Sequence, residues 1–315
     1  MDKLILSVSP HLRGKTNTTI IMLDVVIALL PALVMSVVIF DLRALLLVGV
    51  CVATCVLAEY LFGLLCKKPC TIGDLSAVVT GILLAFNLPV GVPVWQAVIG
   101  SIVAIIVVKQ LFGGIGMNFA NPAIVGRIFM FLAFSGTMSN YQIPDKSGEL
   151  VATATPLVAS GSDLPTLLEL FIGKNNGCIG ETCAVALIAG GIYLMVRKVI
   201  SFHIPVVFIG TVFVLSLLVV PEGQTALNYA LYQILSGGLM LGAIFMATDY
   251  VTSPYTKWGK VIFAVGCALI TFVIRQWGSY PEGVSFSILF MNILTPFIQC
   301  LLSVEEAEAF CFVVN

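Results

Sequence analysis

Ten apolar runs follow one another along this chain, at approximately 20–40, 44–65, 75–88, 92–112, 119–136, 181–200, 203–220, 227–247, 258–275 and 283–303. A helix rises 1.5 Å per residue, so about 20 apolar residues cross the roughly 30 Å hydrocarbon core of a bilayer. Inside that core the backbone must satisfy its own hydrogen bonds, which only helices and closed barrels achieve. Eight or more of the runs have the length to span. The expected fold is therefore an all-α integral membrane protein of about ten transmembrane helices. A charged fraction of 10% and a mean hydropathy of +1.10 support this, because no soluble core needs so much apolar surface. A net charge of -1 leaves no basic field for nucleic acid.

Two runs are broken. The run at 75–88 ends in Asn87-Leu88-Pro89, and the run at 227–247 is interrupted by Gly237-Gly238 and Gly242 before Thr248-Asp249. Such interruptions read as half-helices around a site at the membrane midplane. A faint internal repeat accompanies them. In the first half a break precedes a helix from Trp95 to Lys109, then Gly113 to Gly116 and a helix carrying Asn118 and Asn121. In the second a break from Thr248 to Pro254 precedes a helix from Trp258 to Arg275, then Gly278 and a helix beginning Glu282-Gly283. Five spans per half, 20–136 and 181–303, would make two inverted repeats, since an odd number reverses orientation. The pattern resembles a urea- or ammonium-transporter-like scaffold with broken helices.

The flanking segments are 1–19, the long loop 137–180 and the tail 304–315. With the N-terminus inside, ten basic residues fall on the cytoplasmic side: Lys3, Arg13, Lys15, Lys67, Lys68, Lys109, Arg197, Lys198, Lys257 and Lys260. Four fall outside: Arg43, Lys146, Lys174 and Arg275. The excess of Lys and Arg predicts both termini in the cytoplasm and the acidic loop outside. The polar start lacks a small-residue cleavage site, which argues against a removed signal peptide.

Ionisable groups in or near apolar runs are costly and tend to be functional; here they are Asp24, Glu59, Asp74, Lys109, Arg127, Asp249 and Glu282. Glu59, Asp74, Lys109 and Glu282 could instead snorkel to the interface. On a continuous helix Asn118 and Asn121 share a face, with Arg127 turned about 180° from Asn118, so they would serve different partners. Thr248, Asp249, Thr252 and Ser253 offer hydroxyls and a carboxylate at the second break, where unwound backbone can meet a ring or phosphate. The nine cysteines form no Cys-x-x-Cys, so no iron–sulfur or zinc site is expected; whether Cys178 and Cys183 pair stays open. No Gly-rich strand–turn–helix unit would bind NADH, and no residue set is suited to catalysis by this chain alone.

The loop carries Glu149-Leu150-Val151-Ala152-Thr153-Ala154-Thr155-Pro156-Leu157. This run resembles the flavinylation motif of the NqrB/RnfD family, which serves Rnf electron-transport complexes and the sodium-pumping NADH:quinone oxidoreductases. Ser9-Pro10-His11, Met22 to Val25, Ala28 to Pro31, Gly113 to Asn118, Asn121-Pro122-Ala123, Met246 to Asp249, Thr252-Ser253-Pro254, Glu282-Gly283-Val284 and Met291-Asn292 match the RnfD branch in the same order. Glu149, Ala152, Thr153 and Tyr250 depart from the usual pattern. The resemblance implies FMN held by a phosphoester on Thr155, flanked by Ala154 and Pro156, with Thr153 the rival acceptor. It also implies a second, non-covalent flavin (riboflavin) among the helices. Asn118, Asn121, Arg127, Thr248, Asp249, Thr252 and Ser253 are candidates for holding a cofactor.

The implied protein is a multi-pass component of a prokaryotic cell membrane, relaying electrons in an ion-translocating ferredoxin:NAD oxidoreductase coupled to Na+ or H+. Its partners would be the other Rnf subunits, the bilayer and an FAD:protein FMN transferase. The rival reading is a cofactor-free channel or carrier for a small solute, which leaves the Thr155 loop without a purpose.

Overall fold

A computed structural model describes residues 17–67, 71–144, 150–152, 166–173, 177–181, 183–220, 225–278 and 283–314. Helices occupy the apolar runs, and they stop where side chains or rings forbid them. Helix α1 (Thr18–Leu65) covers the first two runs as two helices joined at Asp41, whose φ of 57° is rare for a residue with a Cβ. Helix α2 (Ser76–Phe86) ends just before Asn87-Leu88-Pro89, because a residue preceding proline disfavours the helical region. Helix α3 (Val94–Ile102) runs directly into a π-helical stretch, Val103–Gln110.

Helix α4 (Pro122–Ala133) has Asn121 as its N-cap, accepting from the Ala123 N–H at 3.0 Å, and Pro122 in the first turn where no donor is lost. This corrects the expectation that Asn118 and Asn121 share a helix face: both precede the helix. A short α5 (Ser135–Met138) follows. Next comes an antiparallel hairpin, β1 (Gln142–Pro144) and β2 (Leu150–Ala152), with Gln142 opposite Ala152. Helix α6 (Leu167–Ile172) begins with a capping box between Thr166 and Glu169.

The second half contains α7 (Ala184–Val196), α8 (His203–Leu218), α9 (Ala226–Leu235), α10 (Leu239–Leu241) with a π-helical turn Gly242–Met246, α11 (Lys257–Trp277) and α12 (Val284–Val314). The Gly237-Gly238 interruption is a 63° bend between α9 and the segment Leu239–Met246. Helix α12 continues through the expected tail, where Glu and Ala are good helix formers.

Among the described residues α1, α11 and the Val284–Leu302 part of α12 are long and apolar enough to cross a bilayer, and the bent α9–α10 pair makes a fourth. The remaining apolar helices have 10–17 residues. At 1.5 Å per residue the 11 residues of α2 reach only about 17 Å. The expectation of eight or more full-length helices thus gives way to a mixture of whole and half-length ones, because Asn-x-Pro, Asn-Pro and Gly-Gly steps cut the runs.

Helix α1 packs on α2, α3 and α7, α11 lies against α8 and α12, and α4 contacts α12. One buried apolar cluster joins both halves, from Leu29 through Leu84 and Phe86 to Phe263 and Ile288. Val38, Leu132 and Phe297 point outward, as on a lipid-facing surface. Asp24 is buried on α1, where it accepts from Tyr193 Oη at 3.0 Å and from Arg197 Nη2 at 3.1 Å, fastening α7 to α1.

The α1–α7 contact depends on small residues, as helix pairs in lipid do. A Cβ on Gly190 would collide with the Ala28 carbonyl oxygen, a backbone atom that cannot swing aside. Gly190→Ala is therefore expected to destabilise the chain by about 1–3 kcal/mol. Gly49→Ala, with nothing within 4 Å of its Cβ, should leave the thermal midpoint in detergent unchanged. Equal midpoints for both variants would refute this account.

Candidate functional site

Three groups of interior polar residues lie at or near interrupted helices. The first surrounds a cavity of about 100 Å3 between the two halves. The segment before α4 brings Asn118 and Asn121 to it, and the unwound stretch after the second π-helical turn brings Thr248 and Asp249. Ser76, Lys109 and the apolar Ile21, Val25 and Phe245 complete much of the wall. The Asn118 Oδ1 atom is buried and has no hydrogen-bond partner. A donor on a bound group would satisfy it.

Thr252 and Ser253 do not line this cavity. Thr252 Oγ1 donates to Asp249 Oδ2 at 3.1 Å and Ser253 Oγ to the Asp249 carbonyl at 2.7 Å, so both shape the turn that presents Asp249. Thr248 Oγ1 likewise donates to the Ile244 carbonyl at 2.7 Å.

The second group centres on Arg127, buried on α4. Its Nη1 donates to Asn87 Oδ1 at 2.7 Å and to Glu181 Oε1 at 3.4 Å, and its Nη2 to Cys178 Sγ at 3.6 Å. Asn87 stands at the end of α2, where the Gly180 N–H donates to the Phe86 carbonyl at 2.9 Å and the Ile179 N–H to the Leu88 carbonyl at 3.0 Å. The chain entering α7 thus caps the broken end of α2, and Cys178, Ile179, Gly180 and Glu181 lie buried rather than in an exposed loop. Cys178 and Cys183 are both free thiols.

From Asn87 the polar contacts continue inward. Asn87 Nδ2 lies 3.3 Å from Met246 Sδ, and Asn121 Nδ2 donates to the Met246 carbonyl at 3.2 Å. With its amide turned to satisfy both ends, Asn292 donates to the Thr252 carbonyl and accepts from the Asn121 N–H, each at 3.2 Å. Thr295 Oγ1 also donates to the Thr252 carbonyl at 3.0 Å. Arg127 and Asn121 do serve different partners, but one chain of contacts links them.

The third group is the pair Glu59–Lys109, 2.7 Å apart with each side chain 2% exposed. Lys109 Nζ also donates to Ser76 Oγ at 2.7 Å, and Thr71 Oγ1 to Glu59 Oε1 at 2.6 Å. The snorkelling alternative fails for these two, since a buried partner satisfies each charge better than a strained reach to the interface. Glu282 and the whole motif Thr153, Ala154, Thr155 and Pro156 lie outside the described residues; strand β2 ends at Ala152, immediately before the motif.

Sequence reasoning missed Asn87, Glu181, Met246, Asn292 and Gln110 as site residues. A buried arginine demands a carboxylate, so the sequence signals an acidic partner for Arg127, but it offers several and does not single out Glu181. Met246 takes part through its carbonyl and sulfur, for which no motif exists.

Comparison with known proteins gives concordant results. The D subunit of a Na(+)-translocating ferredoxin:NAD(+) oxidoreductase complex from Acetobacterium woodii is 48% identical over 303 residues, covering 94% of this chain and 92% of that protein. Its counterpart in a proton-translocating ferredoxin:NAD(+) oxidoreductase complex from Clostridium ljungdahlii is 40% identical, with 93% of each covered. One from Stutzerimonas stutzeri, named as the D subunit of an ion-translocating oxidoreductase complex, is 35% identical with 89% of each covered. The model of the NQR2, RnfD, RnfE family matches residues 5–306, and the chain belongs to that family.

Proposed function

We propose that this chain is the RnfD component of an ion-translocating ferredoxin:NAD oxidoreductase complex, relaying electrons through FMN bound covalently to Thr155. The observation that carries the reading is 48% identity extending over 94% of the chain to a relative named for such a complex. Relatives at 48% and 40% identity are named for sodium and for protons respectively, so the transported ion is read as a monovalent cation.

The architecture belongs to the same proposal: ten spans in two inverted repeats of five. Three observations support it. The third helix of each half is the broken one, α2 at Asn87 and α9–α10 at Gly237-Gly238. The contacts between halves join helices at the same place in each, α1 with α7 and α4 with α12, as a two-fold relation requires. Breaks on both sides also bring Asn118, Asn121, Thr248 and Asp249 to one cavity.

Both termini are placed in the cytoplasm and the Thr155 loop outside. Lys109 is buried and Arg275 is half-buried and bonded to the Gln233 carbonyl, so both leave the count of loop charges, one from each side, and its sense is unchanged.

A second, non-covalent flavin belongs to the same proposal, but the cavity of about 100 Å3 between the halves is too small for an isoalloxazine ring and gives it no site. The unpartnered Asn118 Oδ1 there suits water or another small donor, with Asn121 and Thr248 on the same wall. A flavin transferase would load Thr155, whose hydroxyl lies three residues beyond β2.

Affinity purification of this chain from native membranes in mild detergent tests the reading. It should bring down several membrane and peripheral subunits together with ferredoxin:NAD oxidoreductase activity. Recovery as a stable, redox-competent monomer would sink it. The small-solute channel keeps only the architecture in its favour.

A further inference from the structure

We propose that the Glu59–Lys109 pair is a gate between two hydrated cavities, through which the transported monovalent cation passes within this chain. The inference rests on the ion-translocating reading above and adds a location to it.

The pair stands between two spaces. On one side lies a cavity of about 280 Å3 walled in part by Glu59, Thr71, Gln110 and Gly114. On the other lies the 100 Å3 cavity, which Lys109 and Ser76 line. Ile115 borders both. The carboxylate therefore faces one cavity and the ammonium the other, and the 2.7 Å contact between them is the partition.

A pair that only stabilised packing would leave its surroundings satisfied. Here Gln110 is 5% exposed, and its Nε2 has no hydrogen-bond partner although it borders the larger cavity. A buried amide donor needs an acceptor, and the cavity has room for several waters. The adjacent Lys109 and Gln110, which reach different cavities, end the π-helical stretch Val103–Gln110, and such turns recur at functional sites.

The chemistry follows from charge. Among the described residues Glu59 provides the only carboxylate on the larger cavity's wall. A cation arriving there competes with the Lys109 ammonium for it, because two positive charges held on one carboxylate repel each other. The ammonium then turns on its flexible four-carbon stem into the smaller cavity, where Ser76 Oγ is already its partner at 2.7 Å and Asp249 is on the wall. Its return displaces the cation. The gate holds one positive charge at a time, so neither cavity is open to the other while Glu59 and Lys109 are paired.

The test uses the whole complex reconstituted in liposomes, with co-purification of the other subunits as proof of assembly. Without electron donor, an imposed sodium gradient and, separately, a pH gradient should decay slowly with the unsubstituted complex. With Lys109→Ala one of the two should collapse severalfold faster, and which one identifies the ion. Because an unpaired Glu59 could prevent folding, the neutral double variant Glu59→Gln/Lys109→Met decides independently: it should assemble, hold gradients, and fail to build one during electron transfer. Assembled variants that hold and build gradients like the unsubstituted complex would overturn the gate. An unsubstituted complex that moves no cation during electron transfer would overturn the functional reading itself, and the gate with it.

Discussion

Thr155→Val is expected to abolish covalent flavin and electron transfer from ferredoxin to NAD together. Valine keeps the β-branched shape and the local backbone preference of threonine, but it lacks the oxygen that forms the phosphoester. The chain should still insert and assemble, since a loop hydroxyl adds little to a fold held by helix packing in lipid. Fluorescence of the denatured protein in a gel reads the flavin directly, because only a covalent one survives denaturation. Thr153→Val should keep both signals. The reverse pattern would move the acceptor to Thr153, and a flavin signal unaffected by either change would end the motif reading.

The second large effect is expected at Arg127. Arg127→Met leaves Glu181 buried without its charge partner, a loss of about 3–5 kcal/mol and a fall in Tm of roughly 10 °C. The cost arises from the stranded carboxylate rather than from any great worth of the pair. Adding Glu181→Gln should therefore recover part of the stability, because the double variant leaves no stranded carboxylate at this position. Thermal unfolding of the chain in detergent measures all three proteins. An Arg127→Met midpoint equal to the unsubstituted one, or a double variant as damaged as the single, would show that the Arg127 cluster does not hold the broken α2 against the entry to α7.

Much of the fold was legible because burial in lipid acts on local sequence. Each apolar run coincides with helix, and the breaks at Asn87-Leu88-Pro89 and Gly237-Gly238 are where the residues placed them. Boundaries failed where capping decided the matter: Asn121-Pro122 is a strong helix start, and reading through it put Asn118 on a helix that begins later. The site was legible in part. Asn118, Asn121, Thr248 and Asp249 do meet at one cavity, while Thr252 and Ser253 turn back to their own backbone and Arg127 belongs to another group.

By itself, then, the sequence determined the helical membrane class, the family and the positions of the interruptions, since all three are written in local composition and order. Which charges pair was decided only by tertiary structure. Glu59 and Lys109 are 50 residues apart, Arg127 and Glu181 are 54 apart, and Asn87 and Met246 are 159 apart. Their meeting depends on how broken helices from two halves cross, and nothing in the neighbourhood of either partner encodes the other. The same holds for the two cavities and the partition between them: a lysine near a helix end reads as a snorkelling residue until the carboxylate on the neighbouring helix is seen to face it.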